Sequence, residues 1–270
     1  MDLSPRLRWT LRILMIIGLA FLYVPLILVV LNAFNRSRTF SFPPSGLTLR
    51  WWHAAAESDA ARTALWTSVK AGLGATAIAL VLGTMAAFAV QRYRFFGRTT
   101  VSFLVILPIA LPGIVTGIAL NAAFRTALDP LGIGFGLTTV IIGHATFCIV
   151  LVYNNVQARL RRMGGSLEEA SADLGATGFQ TFRLVTFPVL RGALVAGALL
   201  AFGLSFDEIV VTTFTSSPSV QTLPLWIFGN LFRPNQAPVV NVAAAVLIVV
   251  AVLPVWLAQR LADDSATSRF

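Results

Sequence analysis

Long apolar runs alternate with short polar, arginine-bearing stretches along the whole chain. A helix that crosses a bilayer needs about 20 mostly apolar residues, with a range of about 17–25. Six runs fit: about 13–31, 67–90, 100–124, 137–153, 192–214 and 238–258. The pattern predicts an all-α, polytopic membrane protein with six transmembrane helices. The first run follows Arg6, Arg8 and Arg12 and so has the basic flank of a signal peptide. It is longer than the usual apolar stretch of about 7–15 residues, and no small-x-small site follows, so an uncleaved span is expected. Pro108 and Pro112, with Gly113 and Gly117, predict a kinked third span that neighbours approach closely. Asp207 and Glu208 interrupt the fifth.

The connections carry their own signals. Residues 35–62 contain SFPPSGLT and the pair Trp51–Trp52. Indole rings favour the membrane–water boundary, so a short surface helix is expected there. Pro218, Pro224 and Pro234 exclude one continuous helix over residues 215–237. LPLWIF reads as a segment dipping into the membrane where protein or water covers its backbone.

The most specified polar stretch is the elbow at 166–188. Ser166-Leu167-Glu168-Glu169 has the form of a capping box. Leu167, Ala170, Ser171 and Leu174 fall on one helical face. Gly175 stands where a C-terminal glycine reverses the chain. Thr177-Gly178-Phe179-Gln180 offers a second box, followed by Pro188 and the fifth span. The stretch therefore reads as short helix, sharp turn, short helix. A helix under about 12 residues is marginal alone, so this face needs a partner. Periodicity admits two: the chain's own membrane helices, or a separate protein.

Composition strengthens the membrane reading. Of 270 residues 57% are hydrophobic and 11% charged, against about 25% charged in soluble domains. There is too little polar surface to face water all round. The net charge of +9 comes from arginines set between apolar runs, with no basic face carrying interleaved aromatics, so nucleic acid is not an expected partner. With six spans, thirteen arginines fall on the side of the N-terminus and the elbow, and six on the other. The positive-inside rule then places both termini and the elbow in the cytoplasm. The single cysteine, Cys148, excludes an internal disulfide and a cysteine-based zinc site. No phosphate-binding G-x-x-x-x-G-K-[ST] loop and no nucleophile–base constellation is present, which argues against a catalytic subunit.

Asp207 and Glu208 are the conspicuous candidates for contact with a solute. From Gly192 to Asp207 a helix advances roughly 22 Å, past the bilayer centre. A carboxylate at mid-bilayer costs at least about 2.5 kcal/mol and usually faces a bundle interior or a watery cavity. An organic cation would find acceptors there. Successive helical residues point about 100° apart, which favours Asp207 alone. Phe206, Trp226 and Phe228 add faces for cation–π contact. The competing reading leaves both acids solvated near the outer boundary or paired with an arginine of another subunit. His144 is read as hydrogen-bonded packing, and Asn121 as a helix-end polar contact.

The elbow resembles the signature of ABC-importer permeases: EAA, three residues, Gly, nine residues, then Ile-x-Leu-Pro. Glu169-Ala170-Ser171, Gly175 and Val185-Thr186-Phe187-Pro188 stand at that spacing. Ser171, Val185 and Phe187 depart from it. FLYVPLILVVLNAFN, YRFFG, GHATFCIVLVY, DLGA and SFDEIVVTTFTSSPSVQTLPLWIF resemble the second permease of spermidine/putrescine-type importers. The resemblance implies a type I ABC importer transmembrane domain over residues 1–270, in a bacterial inner (cytoplasmic) membrane. It implies a homologous second permease, two ATP-binding cassette subunits, a periplasmic substrate-binding protein and surrounding lipid. No cofactor is expected in this chain, since ATP and Mg bind the partner ATPase. The elbow becomes the coupling helix, with Leu167, Glu169, Ala170, Ser171, Asp173, Leu174, Gly175 and Ala176 at the ATPase. The cargo implied is a polyamine or related small organic cation. The same fold also serves ferric iron, other amines, opines and phosphonates. A secondary transporter or channel is the alternative of another class. It would need coupling-ion residues, and only Asp207, Glu208 and His144 offer themselves; no inverted repeat is visible.

Overall fold

The computed structural model describes residues 4–39, 41–233 and 235–267, and among them the regular structure is helical apart from an isolated Asn35–Leu47 bridge. The helices are α1 (Pro5–Ala33), α2 (Arg50–Glu57), α3 (Asp59–Arg92), α4 (Arg98–Ala110), α5 (Gly113–Ala127), α6 (Leu137–Met163), α7 (Ser166–Asp173), α8 (Gly178–Thr181), α9 (Phe187–Phe206), α10 (Val210–Thr215), α11 (Leu223–Asn230) and α12 (Ala237–Thr267). A π-helical turn, Phe182–Thr186, fuses α8 to α9.

Among the described residues five helices are long and apolar enough to cross a membrane: α1, α3, α6, the Gly178–Phe206 rod and α12. The third expected span differs. It is a pair, α4 and α5, bent by 109°. Pro112 explains the break. Proline disfavours the helical region for the residue before it, and Leu111 is extended at φ −82°, ψ 146°. The Pro112 carbonyl then starts α5, accepting from Val115 N and Thr116 N at 2.9 and 3.2 Å. Pro108 lies inside α4 without ending it. The fifth span is also shifted: its helix begins before residue 192, stops at Phe206 and resumes at Val210.

A short helix is present at Trp51–Trp52, as α2, but Trp51 is buried in a core cluster instead of facing a boundary. LPLWIF forms the start of α11. No continuous helix covers the described residues of that loop: Pro218 lies in a turn, Pro224 in the first turn of α11, and Pro234 outside the described residues.

The chain divides into two compact units. The first has residues up to Arg62 with Ile227–Val249. There Trp51 is buried with Ala33, Val242 and Ala245, and its indole N–H donates to the Asn35 carbonyl at 2.9 Å. The second unit runs over Thr63–Trp226 and takes in the chain from Val250. Its core is α6, whose Val152, Tyr153, Val156 and Leu160 are fully buried. Ala75, Ala79 and Ala87 of α3 and Ala201 of α9 face this core. Between helices in lipid there is little hydrophobic drive, so close van der Waals approach by small residues holds them together. Gly83 marks the tightest point between backbones. A Cβ there would lie 2.8 Å from the Ile149 carbonyl oxygen and 3.1 Å from Tyr153 N. Outward-facing Leu, Ile and Phe side chains of α1 are exposed, as suits a lipid-facing surface.

Because backbone atoms oppose any side chain at this crossing, Gly83→Ala is expected to destabilise the unit by about 1–3 kcal/mol. Thermal unfolding of the purified, detergent-solubilised chain measures it. An unchanged midpoint would mean that α3 and α6 separate freely.

Candidate functional site

Two polar features stand at opposite ends of one helical rod. At its start is the elbow. The Gly178–Phe206 helix of 29 residues is roughly 43 Å long at about 1.5 Å per residue. At its far end are Asp207 and Glu208.

The elbow is built by its own caps. α7 ends in a Schellman motif: Gly175 N donates to Ala172 O at 2.8 Å and Ala176 N to Ser171 O at 3.1 Å. Gly175 has φ +82°, a conformation that only glycine adopts cheaply. The Thr177–Gln180 capping box is present: Thr177 N donates to Gln180 Oε1 at 2.8 Å, and Gln180 N to Thr177 Oγ1 at 3.4 Å. The Ser166 box is not. Gly165 starts the helix one residue earlier, its carbonyl accepting from Glu169 N at 3.0 Å, and Ser166 becomes the first helical residue.

Some polar side chains of the elbow turn inward, while its large apolar ones turn outward. Ser171 Oγ lies 3.0 Å from Thr181 Oγ1, which ties α7 to α8. The departure from alanine at this position thus supplies a hydrogen bond. Leu174 is 90% exposed, Phe179 72% and Leu167 50%. Glu169, Ala170, Asp173 and Gly175 are exposed, and Ala176 is half-buried. The chain's own helices do not cover this face.

At the other end the helix does not run through the acids. Asp207 caps α9, its N–H reaching the Gly203 carbonyl at 3.3 Å. Glu208 Oε1 accepts from Val211 N at 2.7 Å, capping α10. Among the described residues Asp207 is exposed with no side-chain partner, while Glu208 is half-buried and engaged. The two acids do not share a helix, so the 100° separation does not apply to them; what distinguishes them is that Glu208 is engaged in a cap and the Asp207 carboxylate is not. Phe206 is fully buried, stacked on Phe202 at 5.7 Å, and Trp226 is buried too.

His144 bridges the break. One ring nitrogen, Nδ1, lies 2.7 Å from Ser205 Oγ of α9, and the other, Nε2, lies 2.8 Å from Thr212 Oγ1 of α10. An imidazole with both nitrogens bonded to hydroxyls is fully used in structure. Asn121 Nδ2 donates to the Phe214 carbonyl at 2.6 Å, and Thr139 Oγ1 to the Thr215 carbonyl at 2.7 Å. These bonds anchor α10 to α5 and α6. Beneath Phe214, a Cβ on Gly117 would lie 2.5 Å from the ring, as the close packing expected there requires.

The family model described as binding-protein-dependent transport system inner membrane component matches residues 79–265, which include both features. The chain belongs to this family. It is similar to the putrescine transport system permease protein PotI of Escherichia coli K12, at 34% identity over 87% of this chain and 84% of the relative. It is equally similar, at 34% identity, to the spermidine/putrescine transport system permease protein PotC of the same strain, over 91% of this chain and 90% of that one. Its fold matches a solved bacterial ABC transporter involved in the import of the acidic polysaccharide alginate, with TM-score 0.68 and 15% identity over 94% and 95% of the two chains. The inward-facing MetNI methionine ABC transporter matches with TM-score 0.56 and 20% identity over 74% and 91%. The protein is thus a multi-pass inner-membrane permease with the type I importer fold, working in a binding-protein-dependent system. Its family is non-catalytic and carries no cofactor of its own.

Sequence reasoning about this permease missed Glu168, which is bonded to two other elements. The legible hint was two adjacent acids on an eight-residue helix, of which only one can face outward. It also missed the bridging geometry of His144, since nothing local links residues 144, 205 and 212.

His144→Phe removes both bonds while keeping a ring of similar size. Ser205 Oγ is left without its partner in the core, while Thr212 keeps its bond to the Glu208 carbonyl at 2.9 Å. The change is expected to destabilise by about 1–3 kcal/mol, and protease nicking near residues 207–209 reads it. Wild-type protection would exclude the bridge.

Proposed function

We propose that this permease carries a polyamine or related small organic cation inward, driven by ATP hydrolysed on separate subunits that grip the elbow. The observation that carries the reading is the exposed face of Leu167, Leu174 and Phe179 on an elbow held in shape by the Ser171–Thr181 hydrogen bond. Leu167, Glu169, Ala170, Ser171, Asp173, Leu174, Gly175 and Ala176 form the coupling helix or hold its shape. The assembly is two homologous permeases, two ATP-binding cassette subunits and a periplasmic binding protein. The whole chain, residues 1–270, acts as one permease domain. Both termini and the elbow face the cytoplasm, a reading supported by the thirteen-to-six arginine asymmetry.

Asp207 is the cation acceptor on the pathway. Its carboxylate has no bonded partner among the described residues, at a break where the helix ends. Glu208 is committed to the break itself, capping α10. Phe206 ends α9 next to Asp207 and Trp226 belongs to α11; both are buried. The named cargo of the curated relatives, putrescine and spermidine, has the matching charge.

Leu174→Asp puts a charge on a surface that must be dehydrated on docking. It is expected to cut co-purification with the cassette subunits by about tenfold, with membrane insertion intact; native recovery of the complex would exclude the elbow as the grip. Asp207→Asn removes one charge-assisted contact, worth about 1.5 kcal/mol, and so should raise KM for the cationic cargo by about tenfold. Uptake into reconstituted vesicles measures it, and an unchanged KM would remove Asp207 from the path.

A further inference from the structure

Glu168 belongs to neither the exposed face nor the acidic break, yet both its carboxylate oxygens are engaged. Oε2 lies 2.8 Å from Arg92 Nε, at the end of α3. Oε1 accepts from Thr186 Oγ1 at 2.9 Å, at the end of the π turn. The guanidinium N–H is not aimed along the line to the carboxylate, so the Arg92 contact is electrostatic rather than a directed hydrogen bond. Both side chains are largely shielded, at 18% and 22% exposure, and Thr186 is buried. Phe88 of α3 meets Phe182 of the π turn edge-on at 5.9 Å beside the same junction.

Three elements thus meet on one carboxylate. Arg92 and Glu168 are far apart in sequence, so no short stretch of chain ties α3 to the elbow. On the α6 side the elbow hangs from Gly164 and Gly165, the first at φ +68°. On the α9 side it turns at Gly175, φ +82°. Glycines in the left-handed region make tight turns that pass rotation on poorly, so a rigid push needs side-chain contacts. The π turn is where the rod can give. Such turns occur mostly as single insertions in α-helices, often at functional sites. An ion pair shielded from water is screened less than an exposed one, and breaking it strands a charge.

We propose that Glu168 is a positioning residue which converts displacement of the elbow into movement of α3 and the head of α9, with Arg92 and Thr186 as its anchors. The inference rests on the elbow being gripped by the ATP-hydrolysing partner. It assigns separate jobs to adjacent acids: Glu169 faces outward to the partner, and Glu168 faces inward to the permease. Without the clamp the elbow still docks and the partner still hydrolyses ATP, but less of that motion reaches the membrane helices.

The test uses the complete transporter reconstituted in vesicles, with cargo moved per ATP hydrolysed as the readout. Glu168→Ala and Arg92→Ala are each expected to co-purify with the cassette subunits at native yield and to lose about fivefold or more in that ratio, as a coupling energy at the low end of the usual range implies. The reversed pair Arg92→Glu with Glu168→Arg should recover part of the loss. Glu168→Gln and Thr186→Val, which keep one arm of the clamp each, should fall between. A native ratio in the single variants overturns the proposal, and so does a reversed pair no better than either single. If an alanine variant fails to reach the membrane, Glu168→Gln and the reversed pair decide by the same measure. Loss of co-purification in Glu168→Ala would mean that this residue serves docking instead, and also overturns it. Failure of the docking reading is seen separately, as native recovery of the Leu174→Asp complex.

Discussion

Inside a lipid bilayer no water is at hand for a backbone N–H or carbonyl, so every interruption of a helix must be bonded by protein. This constraint shapes the second unit. Among its described residues, the breaks at 111–112 and 207–209 interrupt expected spans, and each is closed by named partners. Pro112 starts α5 with its own carbonyl. The Asp207–Glu208 break is closed by a carboxylate cap on Val211 N, and the half-helix beyond it is secured by Asn121, Thr139 and His144. Polar side chains that look out of place in an apolar sequence are there because the backbone needs them.

The same constraint separates structural from free polar groups. Glu208 and His144 are consumed in holding the break, and Asp207 is left over. At the elbow, Ser171 and Glu168 are consumed in holding α7 to its neighbours, and Glu169 is left over. In both places adjacent or near-adjacent residues divide the work, one stabilising the fold and one facing outward. The free member at one end of the rod is on the face proposed for the ATPase, and the free member at the other is on the path proposed for the cargo.

Packing follows a complementary rule. Apolar area drives folding weakly when the solvent is itself apolar, so helices in this unit adhere through close approach. Alanines of α3 and the glycines at 83, 117 and 197 let α3, α5 and α9 come near their neighbours. The large side chains are mostly turned outward, the reverse of a soluble core.

Much of this was legible in the sequence. Apolar run length located four of the long helices, at α1, α3, α6 and α12, because span length is set by bilayer thickness and not by contacts; it misplaced the fifth and missed the bend in the third. The elbow's turn and second capping box were legible, because caps and left-handed glycines act within five or six residues. Three things were not. The α4–α5 bend of 109° depends on how far a proline break opens, which neighbours decide. The Ser166 cap was displaced because Gly165 was free to begin the helix a residue earlier. The partners of His144 and Glu168 lie on distant helices, and no local pattern encodes them. By itself the sequence determined which segments enter the membrane and where the chain turns, since those rest on local chemistry. Only the tertiary structure decided which polar side chains are spent and which are free, since that depends on what the fold brings within 3 Å of each.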